Sequence, residues 1–211
     1  MKNDSRPDSL RDTYDRIAAD WARDHAGDTW WREGTEKFAS MLPDRARVLD
    51  AGCGPGQKAK FFQDRGMRVI GIDFSEKLLE IARQTAPASE FRLVDLRDIH
   101  ALPEVFDGVF AQASLLHIPK AEAFSVIEGM VSRLVPRGLL YIAVKTQLAG
   151  NPEEEIVTES DYGYRYDRFF SYYTSDELRG YFDRLGLSLV HAEISEASWK
   201  PGWMQLIARK P

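Results

Sequence analysis

The stretch from Val48 to Gly56 reads Val-Leu-Asp-Ala-Gly-Cys-Gly-Pro-Gly, a short apolar run that stops at three closely spaced glycines. No other segment narrows the fold as far. Arg47-Val48-Leu49 has the character of a parallel strand covered on both faces, and the glycines that follow bring bare backbone up to a ligand. A helical pattern begins after Gly56, so the order is strand, Gly-rich turn, helix, which is the nucleotide-binding crevice of an open α/β sheet. The spacing Gly52-x-Gly54-x-Gly56 departs from the dinucleotide fingerprint, and a carboxylate, Asp50, stands directly before the turn. That neighbour repels a diphosphate and attracts a ligand carrying an ammonium and a sulfonium.

S-adenosylmethionine is such a ligand, and Val48 to Gly56 resembles the first motif of the class I S-adenosylmethionine-dependent methyltransferases. The resemblance implies a Rossmann-like α/β fold: a seven-stranded, mostly parallel sheet with helices on both faces and a C-terminal antiparallel β-hairpin. It also implies S-adenosylmethionine as cofactor, with Asp50, Gly52 and Gly54 in its site.

Composition sets the outer bounds. A chain of 211 residues, 44% of them hydrophobic, can bury a full core and fits one domain over 1–211. Its net charge of -5 gives no electrostatic footprint for nucleic acid or an anionic membrane, so neither is expected as a partner. One cysteine excludes an internal disulfide framework, and no signal-peptide pattern or long apolar run is present, so a cytoplasmic location is expected. Four scattered histidines and that cysteine offer no metal-ligand spacing, and no metal is expected. The oligomeric state is not legible.

From Leu10 to His25 the apolar positions recur at helical spacing, predicting an amphipathic helix, and a second short helix follows around Glu33 to Met41. Together, 10–42 form a helical cap. Pattern alone allows a helix that merely covers the core. Related methyltransferases fold a Tyr-x-x-x-Ala-x-x-Tyr/Trp stretch over the cofactor, which Tyr14, Ala18 and Trp21 match, so the resemblance places Tyr14 and Trp21 at the site.

The second strand, Met67 to Ile72, stops at Asp73, where a carboxylate can accept both hydroxyls of a ribose. Asp73 and Ser75 can equally cap the helix Glu76 to Gln84, and the two roles are compatible. By the resemblance Phe74 joins Asp73 in the cofactor site. The third strand, Phe91 to Val94, ends in Asp95-Leu96. The family uses this acid for the adenine amino group and the next residue to pack on the base, which assigns Asp95 and Leu96; a solvated loop acid is the alternative.

The fourth strand, Phe106 to Ala111, leads into a loop from Gln112 to Pro119. The resemblance turns backbone at Ala111 and Gln112 toward the methionyl end. His117 is placed to take a proton from a substrate, since an unperturbed imidazole titrates near 6.5, or else to pin the loop. A helix over Lys120 to Leu134, a turn at Pro136-Arg137-Gly138 and a fifth strand, Leu139 to Val144, complete a βαβ unit.

The next stretch, 150–174, reads as an insertion on the substrate side. Asn151 to Glu155 is a charged, solvated loop, and Asp161 to Tyr173 is dense in aromatic residues. Tyr162, Tyr164 and Tyr166 alternate, so an extended chain would turn them to one face. Either the rings pack on the sheet as an edge hairpin, or Tyr162, Tyr164, Arg165 and Arg168 form a substrate wall, an arginine being free to bind a carboxylate or phosphate. Thr174 to Glu177 fits a capping box for the helix to Leu185, and strands at Leu187 to Ile194 and Trp203 to Ala208 close the chain, with Trp199 and Trp203 packing on their hairpin.

The expected activity is therefore in-line transfer of a methyl group from S-adenosylmethionine to an O, N or S atom of a small molecule. Two other readings fit the same residues: a methyltransferase acting on protein or RNA, and a module that binds the cofactor without turnover.

Overall fold

The computed structural model describes residues 10–27, 32–195 and 201–211. Residues 1–9 and Trp199 lie outside the described residues. Helices α1 (Leu10–His25) and α2 (Arg32–Ser40) precede the alternating core: β1 (Arg47–Ala51), α3 (Gln57–Gln63), β2 (Arg68–Asp73), α4 (Glu76–Thr85), β3 (Glu90–Leu93), β4 (Phe106–Gln112), α5 (Lys120–Ser132) and β5 (Leu134–Lys145). After these come β6 (Glu154–Glu159), β7 (Tyr166–Ser171), α6 (Ser175–Arg184), β8 (Ser188–Ser195) and β9 (Trp203–Arg209).

Seven strands form one sheet in the order β3-β2-β1-β4-β5-β9-β8. The first five run parallel, while β9 is antiparallel to both β5 and β8. The parallel strands are apolar because both their faces are covered: Val48, Leu49 and Ala51 are fully buried. On one face Phe38 of α2 and Phe62 of α3 meet Phe110 and Tyr141, the last two stacked at 4.2 Å. On the other, Ile127 and Met130 of α5 and Leu178 and Phe182 of α6 pack on Leu49, Val109 and Ile142. Strand order reverses at β1 and β4, so their carboxyl ends diverge and leave the crevice in which α/β proteins bind ligands.

Three details correct the sequence reading. Strand β5 begins at Leu134 and runs through Pro136-Arg137-Gly138 instead of turning there; Arg137 takes a left-handed φ of 65°, and the register against β4 shifts between Phe106 and Gly108. Glu154 and Glu155 are not loop but the start of β6, which pairs with β7 as a separate two-stranded sheet. The aromatic stretch divides its rings between two supports. Phe170, Tyr172 and Tyr173 join the core over the main sheet, whereas Tyr162, Tyr164 and Tyr166 gather against Tyr14, Ile17 and Ala18 of α1. Among the described residues no helix is long and apolar enough to cross a membrane.

Candidate active site

A cavity of about 520 Å³ opens at the carboxyl ends of β1 to β4, roofed by the first turns of α1. Its floor is the turn after β1, folded back so that the amides of Gly52 and Cys53 both donate to the Ile72 carbonyl, at 2.8 and 2.9 Å. Gly52 is required twice over: its φ is +79°, and a Cβ there would stand 2.3 Å from Cβ of Ser114. Gly54 differs, since a Cβ at that position would meet nothing within 4 Å. It borders the open space itself.

Asp73 ends β2 beside that turn. Its Oδ2 accepts the Gly54 amide and its Oδ1 the Ser75 amide, both at 2.9 Å, while the Ser75 hydroxyl caps α4 by accepting from Leu78. The acid and the cap thus coexist. Burial pushes the Asp73 carboxyl up to about 6, against the amides of Ser75, Gly54 and Phe74 that favour the charged form. Asp95 caps the 3-10 turn Leu96–Ala101 through the Arg97 amide and is gripped by the Arg97 guanidinium at 2.8 and 2.6 Å. Burial raises this carboxyl, but the Arg97 side chain and amide outweigh it and bring it below the usual range. It is a paired acid, neither bare nor simply solvated.

At the other end stand Tyr14 and His117. Nδ1 of His117 lies 2.7 Å from the Phe169 carbonyl, and Nε2 lies 2.8 Å from the Tyr14 hydroxyl. Burial drives the imidazole down to about 3, with Arg168 and Lys145 adding to the shift, so the ring is neutral. Arg168 in turn donates to the Tyr14 oxygen at 3.3 Å and forks onto Glu159.

Of the residues assigned from sequence, Tyr14, Gly52, Gly54, Asp73, Phe74, Asp95, Leu96 and His117 line this one cavity. The others stand apart. Asp50 is buried at the end of β1, turned to the Ala59 amide of α3, with Oδ2 unpartnered among the described residues; burial pushes it up to about 7, opposed by Lys58. Trp21 stacks on His25 at 3.9 Å, about two turns along α1 from Tyr14, whose ring it meets edge-on. Ala111 is in the core, and the Gln112 Oε1 is buried without a hydrogen-bond partner among the described residues. The chain reaches the cavity one step later, at Ala113, which takes a φ of +53°, and at Ser114, whose hydroxyl donates to the Ala51 carbonyl at 2.7 Å.

The substrate wall needs correction as well. Tyr162, Tyr164, Arg165 and Arg168 are not among the cavity's walls. Tyr164 donates to Asp20 at 3.0 Å and lies under Arg16, Tyr162 stacks on Tyr166, and the Arg165 carbonyl accepts from Arg16. Arg168 is not free for a ligand anion, being committed to Glu159 and Tyr14. Sequence reasoning missed Ala113, Ser114 and Phe169. The first two are small residues without distinctive chemistry, and Phe169 enters through a hairpin register that the sequence does not show.

The family model described as a methyltransferase domain matches residues 48–138, from β1 into β5. That match takes in less than half of the chain. Its floor turn, its acids at the ends of β2 and β3 and its loop after β4 all fall within the matched span. Trans-aconitate 2-methyltransferase of Variovorax paradoxus is 35% identical over 115 residues, covering 54% of this chain and 42% of the relative. Malonyl-[acyl-carrier protein] O-methyltransferase of Enterobacter lignolyticus is 30% identical over 111 residues, covering 52% and 43%. The chain thus matches less than half the length of either. Two solved structures share the fold of this chain. The 1,6-didemethyltoxoflavin-N1-methyltransferase of Burkholderia thailandensis, with bound 1,6-didemethyltoxoflavin and S-adenosylhomocysteine, has a TM-score of 0.73 at 19% identity, covering 95% of this chain and 87% of that one. Magnesium protoporphyrin IX methyltransferase of Synechocystis, with bound S-adenosylhomocysteine, has a TM-score of 0.72 at 21% identity, covering 96% and 98%.

Proposed function

We propose that the protein transfers a methyl group from S-adenosylmethionine to an O, N or S atom of a small molecule. The observation that carries this reading is the convergence, on one cavity of about 520 Å³, of a side-chain-free turn at Gly54 and two strand-end carboxylates, Asp73 and Asp95. The residues fit a nucleoside bearing an amino-acid tail. The Asp73 oxygens accept the Gly54 and Ser75 amides on separate atoms, which leaves room to accept from a ribose hydroxyl. Asp95 is set to accept from the adenine amino group beside Arg97, with Leu96 and Phe74 offering apolar surface to the base and sugar. The bare backbone of Gly52 and Gly54 accommodates the tail, and Tyr14 closes over it from α1.

When bound, S-adenosylmethionine supplies an electrophilic methyl group. The protein's share of such a displacement is alignment, worth about 7–11 kcal/mol in well-oriented reactions. Asp73 and Asp95 hold the donor, and the wall of Tyr14, His117 and Phe169 confines the acceptor while excluding water. The name of one relative, trans-aconitate 2-methyltransferase, supports a small acceptor, whereas the malonyl group named for the other is carried on a protein.

Calorimetry with S-adenosylhomocysteine, NAD and FAD tests the donor site: binding of the first alone is expected. Incubation with methyl-labelled cofactor and separate pools of metabolites, peptides and RNA tests the acceptor. Label confined to the macromolecular pools would overturn the small-molecule assignment.

A further inference from the structure

Lys145 closes β5 at the carboxyl edge of the sheet, next to β4, whose chain runs on into the cavity wall at Ala113 and Ser114. Its Nζ stands 4.0 Å over the ring of Phe170 and 5.9 Å from that of Trp203. Phe170 in turn touches the imidazole of His117, with the ring centres 5.1 Å apart. Lys145 does not itself line the cavity, and the Phe170 ring stands between its ammonium and the His117 wall.

The carboxylates that bear on Lys145 are already committed. Glu159 is held by the Arg168 fork, and Glu155 accepts the Tyr172 hydroxyl at 2.7 Å. Among the described residues no carboxylate pairs with the Lys145 Nζ. Burial, and secondarily the positive Arg168, lowers its pKa, so the ammonium is costly where it stands. Aromatic faces recover part of that cost. A half-buried cation that pairs with no carboxylate among the described residues, at the edge where α/β sheets hold substrates, can be matched by an anion brought in from solution.

We propose that Lys145 anchors an oxyanion of the methyl acceptor, with Phe170 and Trp203 as apolar walls beside the charge. The inference rests on the methyltransferase reading and gives it a substrate class: small molecules carrying a carboxylate or phosphate. Arg168, which the sequence offered for this task, instead holds Tyr14 and Glu159 in place.

The test uses protein preloaded with S-adenosylhomocysteine and three calorimetric probes: benzoate, phenyl phosphate and the uncharged benzamide. At least one anion is expected to bind more tightly than benzamide. The K145M variant should weaken that anion at least tenfold, and K145R should retain most of the affinity. Which anion wins distinguishes a carboxylate from a phosphate. Should K145M not fold, reductive methylation of the wild-type protein, mapped by mass spectrometry, gives a second readout: the anion should slow modification of Lys145 severalfold while benzamide does not. The proposal is overturned by equal binding of benzamide and the anions, by unchanged affinity in K145M, or by unprotected Lys145. Failure of the preloading step, by contrast, counts against the cofactor site and leaves the Lys145 readouts to be judged without it.

Discussion

The hydroxyl of Tyr14 lies 2.8 Å from Nε2 of His117, and the phenol is the donor. The direction is fixed by the other ring nitrogen, because Nδ1 faces the Phe169 carbonyl at 2.7 Å and a carbonyl can only accept. Nδ1 therefore keeps the proton, and the lone pair that a general base would use is occupied by Tyr14. His117 joins the loop after β4 to the hairpin and to α1.

This arrangement predicts that His117 does not titrate at ordinary pH. Burial has moved the imidazole down to about 3, so its Cε1 resonance should hold the neutral value throughout pH 5–8. The sign for stability follows from linkage. Below the ordinary value of 6.5 the unfolded chain takes up a proton that the native ring refuses, so this contribution is complete above 6.5 and is lost progressively as pH falls toward 3. The loss is at most about 1.4 kcal/mol per pH unit for one group. Denaturant unfolding of the wild type and of H117Q at pH 7 and 5 measures it, and equal pH dependence in both would show that the histidine is not responsible.

Asp73 predicts a sensitivity of the same sign, in binding rather than stability. Its carboxyl is raised to about 6 by burial, so it is charged at pH 7.5 and becomes neutral as pH falls through 6. Ribose hydroxyls donate to the charged form, hence affinity for S-adenosylhomocysteine should be level above pH 7 and weaken by up to about tenfold per unit below 6. D73N should bind at least tenfold more weakly at pH 7.5, about 1.4 kcal/mol, and show a flatter profile. Calorimetry across pH 5–8 on both proteins checks the pair of claims. Parallel profiles would assign the pH dependence to another group, Asp50 being the nearest raised acid.

The two glycines of the floor should fail in different ways. At Gly52 a methyl group would collide with Ser114 at 2.3 Å in a left-handed backbone, so G52A is expected to lose about 2–4 kcal/mol of stability. At Gly54 a methyl group meets nothing, and the cost is that of a φ of +51° alone, about 1 kcal/mol. The added carbon would occupy ligand space, so G54A should fold and bind S-adenosylhomocysteine at least tenfold more weakly. Thermal unfolding and calorimetry on each variant separate the effects. A G54A protein with normal affinity would remove that turn from the cofactor site.

How much of this was legible depended on whether burial left a period in the sequence. Helix α1 matched its expected bounds because Tyr14, Ile17 and Ala18 repeat at helical spacing on one buried face. β1 and its glycines were equally plain, since a strand covered on both sides must be apolar throughout. β6 was hidden: Glu154, Glu155 and Ile156 are all exposed, and a solvent-facing strand of a two-stranded sheet has no reason to alternate. Register was hidden too. That Arg168 would lie beside Glu159 follows from the pairing of Val157 with Arg168 and Glu159 with Tyr166, which composition does not encode. Ala113 and Ser114 entered the site through backbone shape, and small side chains announce none.

The buried arginine carries a final prediction about what the hairpin contributes. Its guanidinium, with a side chain 10% exposed, has the Glu159 fork, the Tyr14 hydroxyl at 3.3 Å and the rings of Trp21 and Phe170 at 4.9 and 5.0 Å. Removing Glu159 leaves that cation buried with one neutral hydrogen bond and two aromatic faces. Removing Arg168 leaves Glu159, 21% exposed, able to turn toward water. The two halves of the pair are therefore unequal. E159A should cost about 3 kcal/mol, and R168M, which fills the same space without charge, distinctly less. In a chain of this length each kcal/mol moves the melting temperature by about 2–4 °C, so the variants should separate clearly in thermal unfolding. R168M should also release Tyr14 from one of its two hydrogen bonds and weaken S-adenosylhomocysteine binding severalfold, although Arg168 does not line the cavity. If R168M proves the less stable of the two, hydration of Glu159 does not compensate, and the guanidinium's packing on Trp21 and Phe170 is the larger share of what it adds.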